Sequence, residues 1–137
     1  MGELPVRAGL FEDGSPPRLL GSHCSSCGNH HFPEHRVCPY CAADTVAPAA
    51  LSGHGVLWAY TAVTAAPPGY RGEVPFGFGV VELPEGVRVI TRLTEADPSR
   101  LAPGQAMELT VVPLHTDDDG NEVRTYAFAP AASTAHA

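Results

Sequence analysis

Every cysteine of the chain lies between positions 24 and 41, in two pairs. The order is Cys24-Ser25-Ser26-Cys27, ten residues, then Cys38-Pro39-Tyr40-Cys41. Two C-x-x-C knuckles at this separation place four thiolates around one tetrahedral ion, for which Zn²⁺ is the expected occupant. Iron in the same cage and disulfides or free thiols are the alternatives; a cytosolic chain does not keep structural disulfides, which favours the metal. Four protein ligands leave no open position for water or substrate, so the expected zinc is structural and not catalytic. Gly28 follows the first knuckle, where a left-handed turn is least costly without a Cβ, whereas Ala42 must close the second turn without that freedom. His23, His30, His31 and His35 crowd the knuckles and are read as solvated imidazoles or as support for the thiolates, because a complete thiolate set needs no further ligand.

A ribbon held by its metal uses about thirty residues, so the apolar core must come from the rest of the 137. The expected division is an N-terminal arm over 1–18, a zinc ribbon over 19–50, a barrel domain over 51–130 and a disordered tail over 131–137. The first fourteen residues lack the basic and apolar regions of a secretory leader, and no run of eighteen apolar residues occurs, so a cytoplasmic location is expected. Leu10-Phe11 is a candidate for packing on the ribbon or on a partner. Gly14, Pro16 and Pro17 limit any helix there to about a turn. Residues 42–50 read as small-residue linker.

From Leu51 onward the texture is that of short strands. Residues 56–63 are rich in branched and aromatic side chains, with Val56, Trp58 and Tyr60 expected on one face and Leu57, Ala59 and Val63 on the other. Residues 76–83 form the second strand, in which Gly77 and Gly79 beside Val81 predict a bend, a bulge or the close approach of another group. Residues 87–93 form the third, with Arg88, Ile90 and Arg92 on one face. A helical turn over 97–101 precedes the fourth strand, over 107–112. Asp117 to Asn121 is a turn without the ligand spacing of a calcium loop, and residues 123–128 form the fifth strand. Five short strands with one helical turn between the third and fourth predict a partly open Greek-key barrel of the OB type. The fold class is thus mainly β: a rubredoxin-like zinc ribbon followed by a five-stranded OB barrel. Its core is expected to contain Trp58, Val80, Val89, Leu109 and Phe128.

Composition separates the functions that such folds serve. The chain has no lysine, eight arginines and fifteen acids, a formal charge of −7. Affinity for nucleic acid is dominated by phosphate neutralisation, so single-stranded nucleic-acid binding, the usual alternative for an OB barrel, is disfavoured, although Trp58, Tyr60, Phe76 and Phe78 are possible stacking platforms. The chain also has no phosphate loop, no nucleophile elbow and no cysteine left once four are committed to metal. His54 and His115 are read as strand-end histidines, not as bases. No catalytic residue is assigned, and no activity is expected of the chain alone.

Over residues 19–130 the chain resembles the bacterial and archaeal zinc-ribbon/OB-fold family known as a domain of unknown function and found beside thiolases. The resemblance rests on Cys24-Ser25-Ser26-Cys27-Gly28, Phe32-Pro33, Val37-Cys38-Pro39-Tyr40-Cys41, Leu51-Ser52-Gly53-His54-Gly55, Tyr60-Thr61-Ala62-Val63, Pro67-Pro68-Gly69-Tyr70, the hairpin from Val80 to Gly86, and Leu101-Ala102-Pro103-Gly104-Gln105. The family's usual N-terminal helix meets Gly14 and Pro16-Pro17 here, and Ala42 replaces its common glycine.

The resemblance implies an accessory subunit of an acyl-CoA-processing complex, in fatty-acid, aromatic or steroid side-chain degradation. Its partner would be a thiolase or a thiolase-fold, lipid-transfer-protein-like aldolase, with a hot-dog-fold enoyl-CoA hydratase as the alternative. Zinc at Cys24, Cys27, Cys38 and Cys41 is the implied structural cofactor. A CoA ester shared with the partner would need cationic donors, and Arg71, Arg88, Arg92 and Arg124 are the candidates. Tyr70 and Arg71, on a proline-stiffened loop, are the candidate partner contacts.

Overall fold

A computed structural model describes residues 3–5, 9–14, 16–69 and 74–131. Ten strands are present among them: β1 (Glu3–Pro5), β2 (Phe11–Glu12), β3 (Arg18–Cys24), β4 (His30–His31), β5 (Val46–Ala50), β6 (His54–Val63), β7 (Phe76–Glu82), β8 (Arg88–Leu93), β9 (Ala106–Thr116) and β10 (Glu122–Pro130). The last five close on themselves. Antiparallel ladders join β6 to β7, β7 to β8, β10 to β9 and β9 to β6, and a short parallel pairing of β8 with β10 completes the ring. Closure leaves no free edge among these strands, which is why the expected partly open barrel is shut at β6–β9. Between β8 and β9 lies the expected helical turn, a 3₁₀ segment Pro98–Arg100. Asp97 caps it by accepting from the Ser99 backbone N–H at 3.0 Å and hydroxyl at 2.8 Å.

Alternation along the strands fills the barrel with Leu57, Val81, Val89, Leu93, Met107, Leu109 and Phe128. Val89, Leu109 and Phe128 are buried as the sequence predicts. Trp58 is not; it is half exposed, at 52%. The cause is a bulge in β6. Leu57 pairs with Val81 and Ala59 with Val80, so Trp58 is the extra residue between them. Leu57 directs its N–H to Gln105 and its carbonyl to Gly104, both in the loop before β9. The bulge therefore keeps Leu57 buried and Tyr60 packed against the core while leaving Trp58 and Ala59 exposed, and strict alternation from Val56 to Tyr60 fails at one position. Val80 is also corrected: it is only half buried, on the face opposite the buried Gly77, Gly79 and Val81.

Close approach explains the glycines of β7. A Cβ on Gly77 would run into the Glu95 carbonyl, and one on Gly79 into the Ala59 carbonyl, so backbone occupies the space where side chains would stand.

The segment read as linker after the second knuckle contains a strand. Residues Val46–Ala50 pair antiparallel with Leu20–Cys24, and Pro48 is tolerated because β5 lies at an edge of this small sheet. Ribbon and barrel share one core. Leu10, Phe11 and Leu19 cluster with the barrel residues, and Phe11 and Phe32 both meet the Tyr126 ring edge-on, with centroids 6.2 and 5.4 Å away. Leu10-Phe11 thus packs within the chain. Beyond it, β1 adds in parallel to the start of β10.

Candidate metal centre and the arginine-bearing sheet face

The two knuckles are built alike. In the first, Cys24 ends β3 and the Gly28 N–H returns to the Cys24 carbonyl at 2.8 Å; in the second, the Ala42 N–H returns to Cys38 at 2.9 Å. Gly28 has φ 80 and Ala42 φ 65, so alanine adopts the left-handed geometry that glycine takes in the first turn. These turns bring the four sulfurs within 4.8 Å of one another. The Cys24–Cys41 and Cys27–Cys38 separations are 3.7 and 3.6 Å. A tetrahedral zinc with Zn–S of about 2.3 Å requires S···S of roughly 3.8 Å, whereas a disulfide needs about 2.05 Å. The donor set fits zinc and not a pair of disulfides.

Hydrogen bonds converge on the sulfurs. The Asn29 amide reaches Cys27 Sγ at 3.3 Å, the Tyr40 N–H reaches Cys38 Sγ at 3.4 Å, and Thr45 Oγ1 lies 3.7 Å from Cys24 Sγ. A backbone hydrogen bond at Cys27 outweighs desolvation and, with Thr45, draws the Cys24 thiol down to about 6. Cys27 is lowered too, chiefly by its backbone bond at Asn29. At Cys41 a backbone bond at Ala43 pulls the other way but is overcome by burial and the sulfurs of Cys24, Cys27 and Cys38, which push it up to about 12. Four close sulfurs do not all ionise without a cation among them.

The four histidines separate in the structure. His31 is buried, whereas His23 and His30 are half buried and His35 is exposed. His31 Nε2 lies 3.4 Å from Cys38 Sγ, and its Nδ1 lies 2.8 Å from the hydroxyl of buried Ser22. Burial, reinforced by His35, His30 and His23, lowers the His31 pKa, so the ring is neutral at neutral pH. A thiolate only accepts; Nε2–H therefore donates to Cys38, Nδ1 accepts from Ser22, and Ser22 Oγ in turn accepts the His35 N–H at 3.0 Å. The chain Ser22–His31–Cys38 orients a candidate ligand. Its only trace in the sequence is the pairing of strand partners Ser22 and His31, which becomes visible once the register is known.

The arginine candidates lie in different settings. Arg88 and Arg92 share one face of β8, with Ile90 between them. The Arg88 guanidinium lies 4.2 Å from the Trp58 ring centroid and 3.4 Å from Glu82 Oε2, and that of Arg92 lies 4.5 Å from the Phe76 centroid. Arg124 is held elsewhere, by Asp13 at 2.7 Å and Glu122 at 2.8 Å, and joins β10 to the N-terminal arm. Tyr70 and Arg71 lie outside the described residues. A cavity of about 700 Å³ lined by His54, Leu83, Met107, Glu82 and Glu108 contains carboxylates and, among the described residues, no arginine, the wrong charge for a polyphosphate.

Comparison with known proteins gives this geometry a lineage. Residues 11–47 match the family model described as the ChsH2 rubredoxin-like zinc ribbon domain, and residues 49–112 that of the ChsH2 C-terminal OB-fold domain. A DUF35 domain-containing scaffold protein of Methanocaldococcus jannaschii is 31% identical over 114 residues, 82% of this chain and 81% of that protein. The chain belongs to the DUF35/ChsH2-like zinc-ribbon/OB-fold family. Among the relatives in this family, the benzoylsuccinyl-CoA thiolase subunit BbsA of Thauera aromatica is 31% identical over 116 residues, 85% of this chain and 78% of that protein. A solved Ltp2-ChsH2(DUF35) aldolase chain superposes with a TM-score of 0.65 at 25% identity, over 82% of this chain and 84% of that one. Among the described residues, no helix is long and apolar enough to cross a membrane.

Proposed function

We propose that this chain is a non-catalytic accessory subunit of an acyl-CoA-processing complex, which assembles with and supports a thiolase or a thiolase-fold retro-aldolase. The observation that carries this reading is similarity spanning both ribbon and barrel to a thiolase subunit and to a chain of an aldolase assembly. Physical chemistry agrees with it: the four cysteines face one another and not a substrate cleft, so the carbon–carbon chemistry falls to the partner's residues. Cys24, Cys27, Cys38 and Cys41 would hold a zinc ion, which supplies folding energy to the ribbon and no open coordination site. If the CoA ester reaches this subunit, Arg71, Arg88, Arg92 and Arg124 are the candidate cations, and the carboxylates paired with Arg88 and Arg124 would have to give way to it.

The test is reconstitution with a thiolase or thiolase-fold aldolase subunit from the same organism. Size exclusion and thiolysis or retro-aldol assays on the separate and mixed proteins should show no turnover by this chain alone, a stable hetero-oligomer on mixing, and higher activity or better folding of the partner. Full turnover by this chain alone refutes the accessory role. Assembly only with a hot-dog-fold hydratase replaces the partner class, and tight, salt-dependent binding of random single-stranded oligonucleotide without partner association replaces the function.

A further inference from the structure

Outside the metal centre, the exposed apolar surface is concentrated on one side of the barrel. Apart from Val37 and Tyr40 near the knuckles and Val74 before β7, the exposed large hydrophobic residues among those described, Val56, Trp58, Phe78 and Ile90, all stand on the outer face of β6, β7 and β8, with Ile90 at 62%. The ladders make them neighbours: Val80 is opposite Ile90, Phe78 opposite Arg92, and Glu82 opposite both Val56 and Arg88. Soluble domains seldom leave a contiguous apolar patch of this kind uncovered without a use for it.

The face is prepared for contact. The β6 bulge spends an unpaired strand position to leave the chain's single tryptophan exposed, and the barrel interior is complete without it, because Leu57 and Tyr60 occupy the inward positions on either side. Arg88 lies over the Trp58 ring and Arg92 over the Phe76 ring, so two flexible side chains are already ordered and lose less entropy on binding. Tryptophan, arginine and flanking aliphatics are the composition of energetic centres in protein interfaces.

We propose that the outer face of β6–β7–β8, centred on Trp58, Phe78 and Ile90, is the surface that docks the catalytic subunit, and that the partner's matching surface is apolar with carboxylates set against Arg88 and Arg92. This rests on the accessory role argued above. Charge selects the occupant. In a chain of net charge −7, the described residues of this face include two arginines and one acid, Glu82, which is paired with Arg88. An acidic-rimmed surface is attracted to it, whereas the same arginine-bearing face of a second copy is not. A two-fold contact centred on Ile90 would also bring Arg88 of one copy against Arg92 of the other, like charge on like.

The experiment measures affinity for the same thiolase-fold subunit by calorimetry, for the wild type and for Ile90→Glu, Trp58→Ala, Arg92→Glu and, on the ribbon, Val37→Glu. Zinc content and thermal unfolding report that each variant folds; the side chains are at least partly exposed, so both should match the wild type. Ile90→Glu is expected to weaken binding at least about 30-fold, as is Trp58→Ala, and Arg92→Glu to weaken it with a reduced salt dependence, while Val37→Glu leaves it unchanged. Wild-type binding with Ile90→Glu and Trp58→Ala both within about twofold overturns this surface and leaves the accessory role standing. Wild type that fails to bind the subunit removes both. If Ile90→Glu instead abolishes a dimer of the isolated chain, the occupant is a second copy and the proposal fails.

Discussion

The ribbon and the barrel bury different things. The barrel closes over Leu57, Val81, Val89, Leu93, Met107 and Phe128, whereas the interior of the ribbon around its knuckles is Ser22, Cys24, His31 and Cys38. One region is held by apolar area and a closed hydrogen-bond ring, the other by hydrogen bonds aimed at four sulfurs. Their chemical dependences should therefore differ, even though Leu10, Phe11 and Leu19 join them at a common core. The difference gives the two regions separate roles. The barrel would then present the docking face proposed above, and the ribbon would stabilise one end of it by a route that needs an ion.

Metal removal should separate the two most sharply. Zinc binding to small ribbons carries apparent free energies of about 10–16 kcal/mol at neutral pH, which a ribbon with so little apolar interior does not replace. Stripping the ion, or the Cys38→Ser substitution, is expected to unprotect amides over 24–46 while β6 to β10 remain protected. Hydrogen exchange read by mass spectrometry distinguishes the regions. A parallel loss of protection in both would mean that they are one cooperative unit and that the contrast is mistaken.

The converse perturbation is Phe128→Ala with the metal retained. The ring is fully buried and pairs across the ladder with Leu109, so its removal should cost about 3–5 kcal/mol, with Leu109→Ala at about 2–5. Urea unfolding monitored on the barrel reads both. Zinc affinity should hardly change, because neither residue lies among the groups around the sulfurs.

The sequence made the two regions unequally legible. The metal set was visible because spacing alone brings Cys24, Cys27, Cys38 and Cys41 together, and the barrel because branched residues and turns recur at short intervals. Val89, Leu109 and Phe128 follow from alternation. Trp58 does not, because a bulge is a defect in alternation fixed by a distant partner, here the 104–105 backbone against Leu57. Strand β5 was hidden for another reason: Val46-Ala47-Pro48-Ala49-Ala50 has little intrinsic strand preference and is a strand only because β3 offers it a ladder. The Ser22–His31–Cys38 relay was equally invisible, since it needs the register of β3 on β4. Glycines at 77 and 79 did announce a close approach, without saying that Glu95 and Ala59 make it.

That relay gives the next perturbation. Ser22→Ala leaves the buried Nδ1 of His31 without its partner and removes the acceptor of the His35 N–H, at an expected cost of about 1–3 kcal/mol. The loss should fall on the ribbon. Zinc transfer to a chromogenic chelator should speed up, while barrel unfolding in urea stays near the wild type. An unchanged transfer rate would show that His31 holds Cys38 without help.

Where ribbon meets barrel, acid provides a gentler probe. Burial opposes ionisation of Glu85, but the Ser52 hydroxyl at 2.9 Å and N–H at 2.8 Å, together with nearby His30, outweigh it and hold the carboxyl below its ordinary value. A carboxylate with a depressed folded pKa stabilises fully above its unfolded value, and loses that contribution as pH falls through the lower folded value. Ser52→Ala should therefore cost about 1–2 kcal/mol at pH 7, and the gap from wild type should close in the acid range below the ordinary carboxyl pKa. Thermal unfolding across that range measures it. A gap that persists below both pKa values would assign the loss to packing.

The smallest effect should have the opposite sign. Ala42 holds φ 65 in the turn of the second knuckle, where Gly28 holds φ 80 in the first, and both turns are closed by the same backbone hydrogen bond. An L-residue in this region costs roughly 1–2 kcal/mol, and glycine returns about 0.5–1 of that through the greater freedom of its unfolded chain, so Ala42→Gly should stabilise the ribbon by up to about 1 kcal/mol. Gly28→Ala is its mirror. A Cβ there would meet nothing within 4 Å, so the cost is conformational and should be of similar size with reversed sign. Competition for zinc between the chain and a calibrated chelator resolves differences of this order. If both substitutions weaken the ribbon, the second turn has adapted to its alanine and the two knuckles are equivalent in outline only.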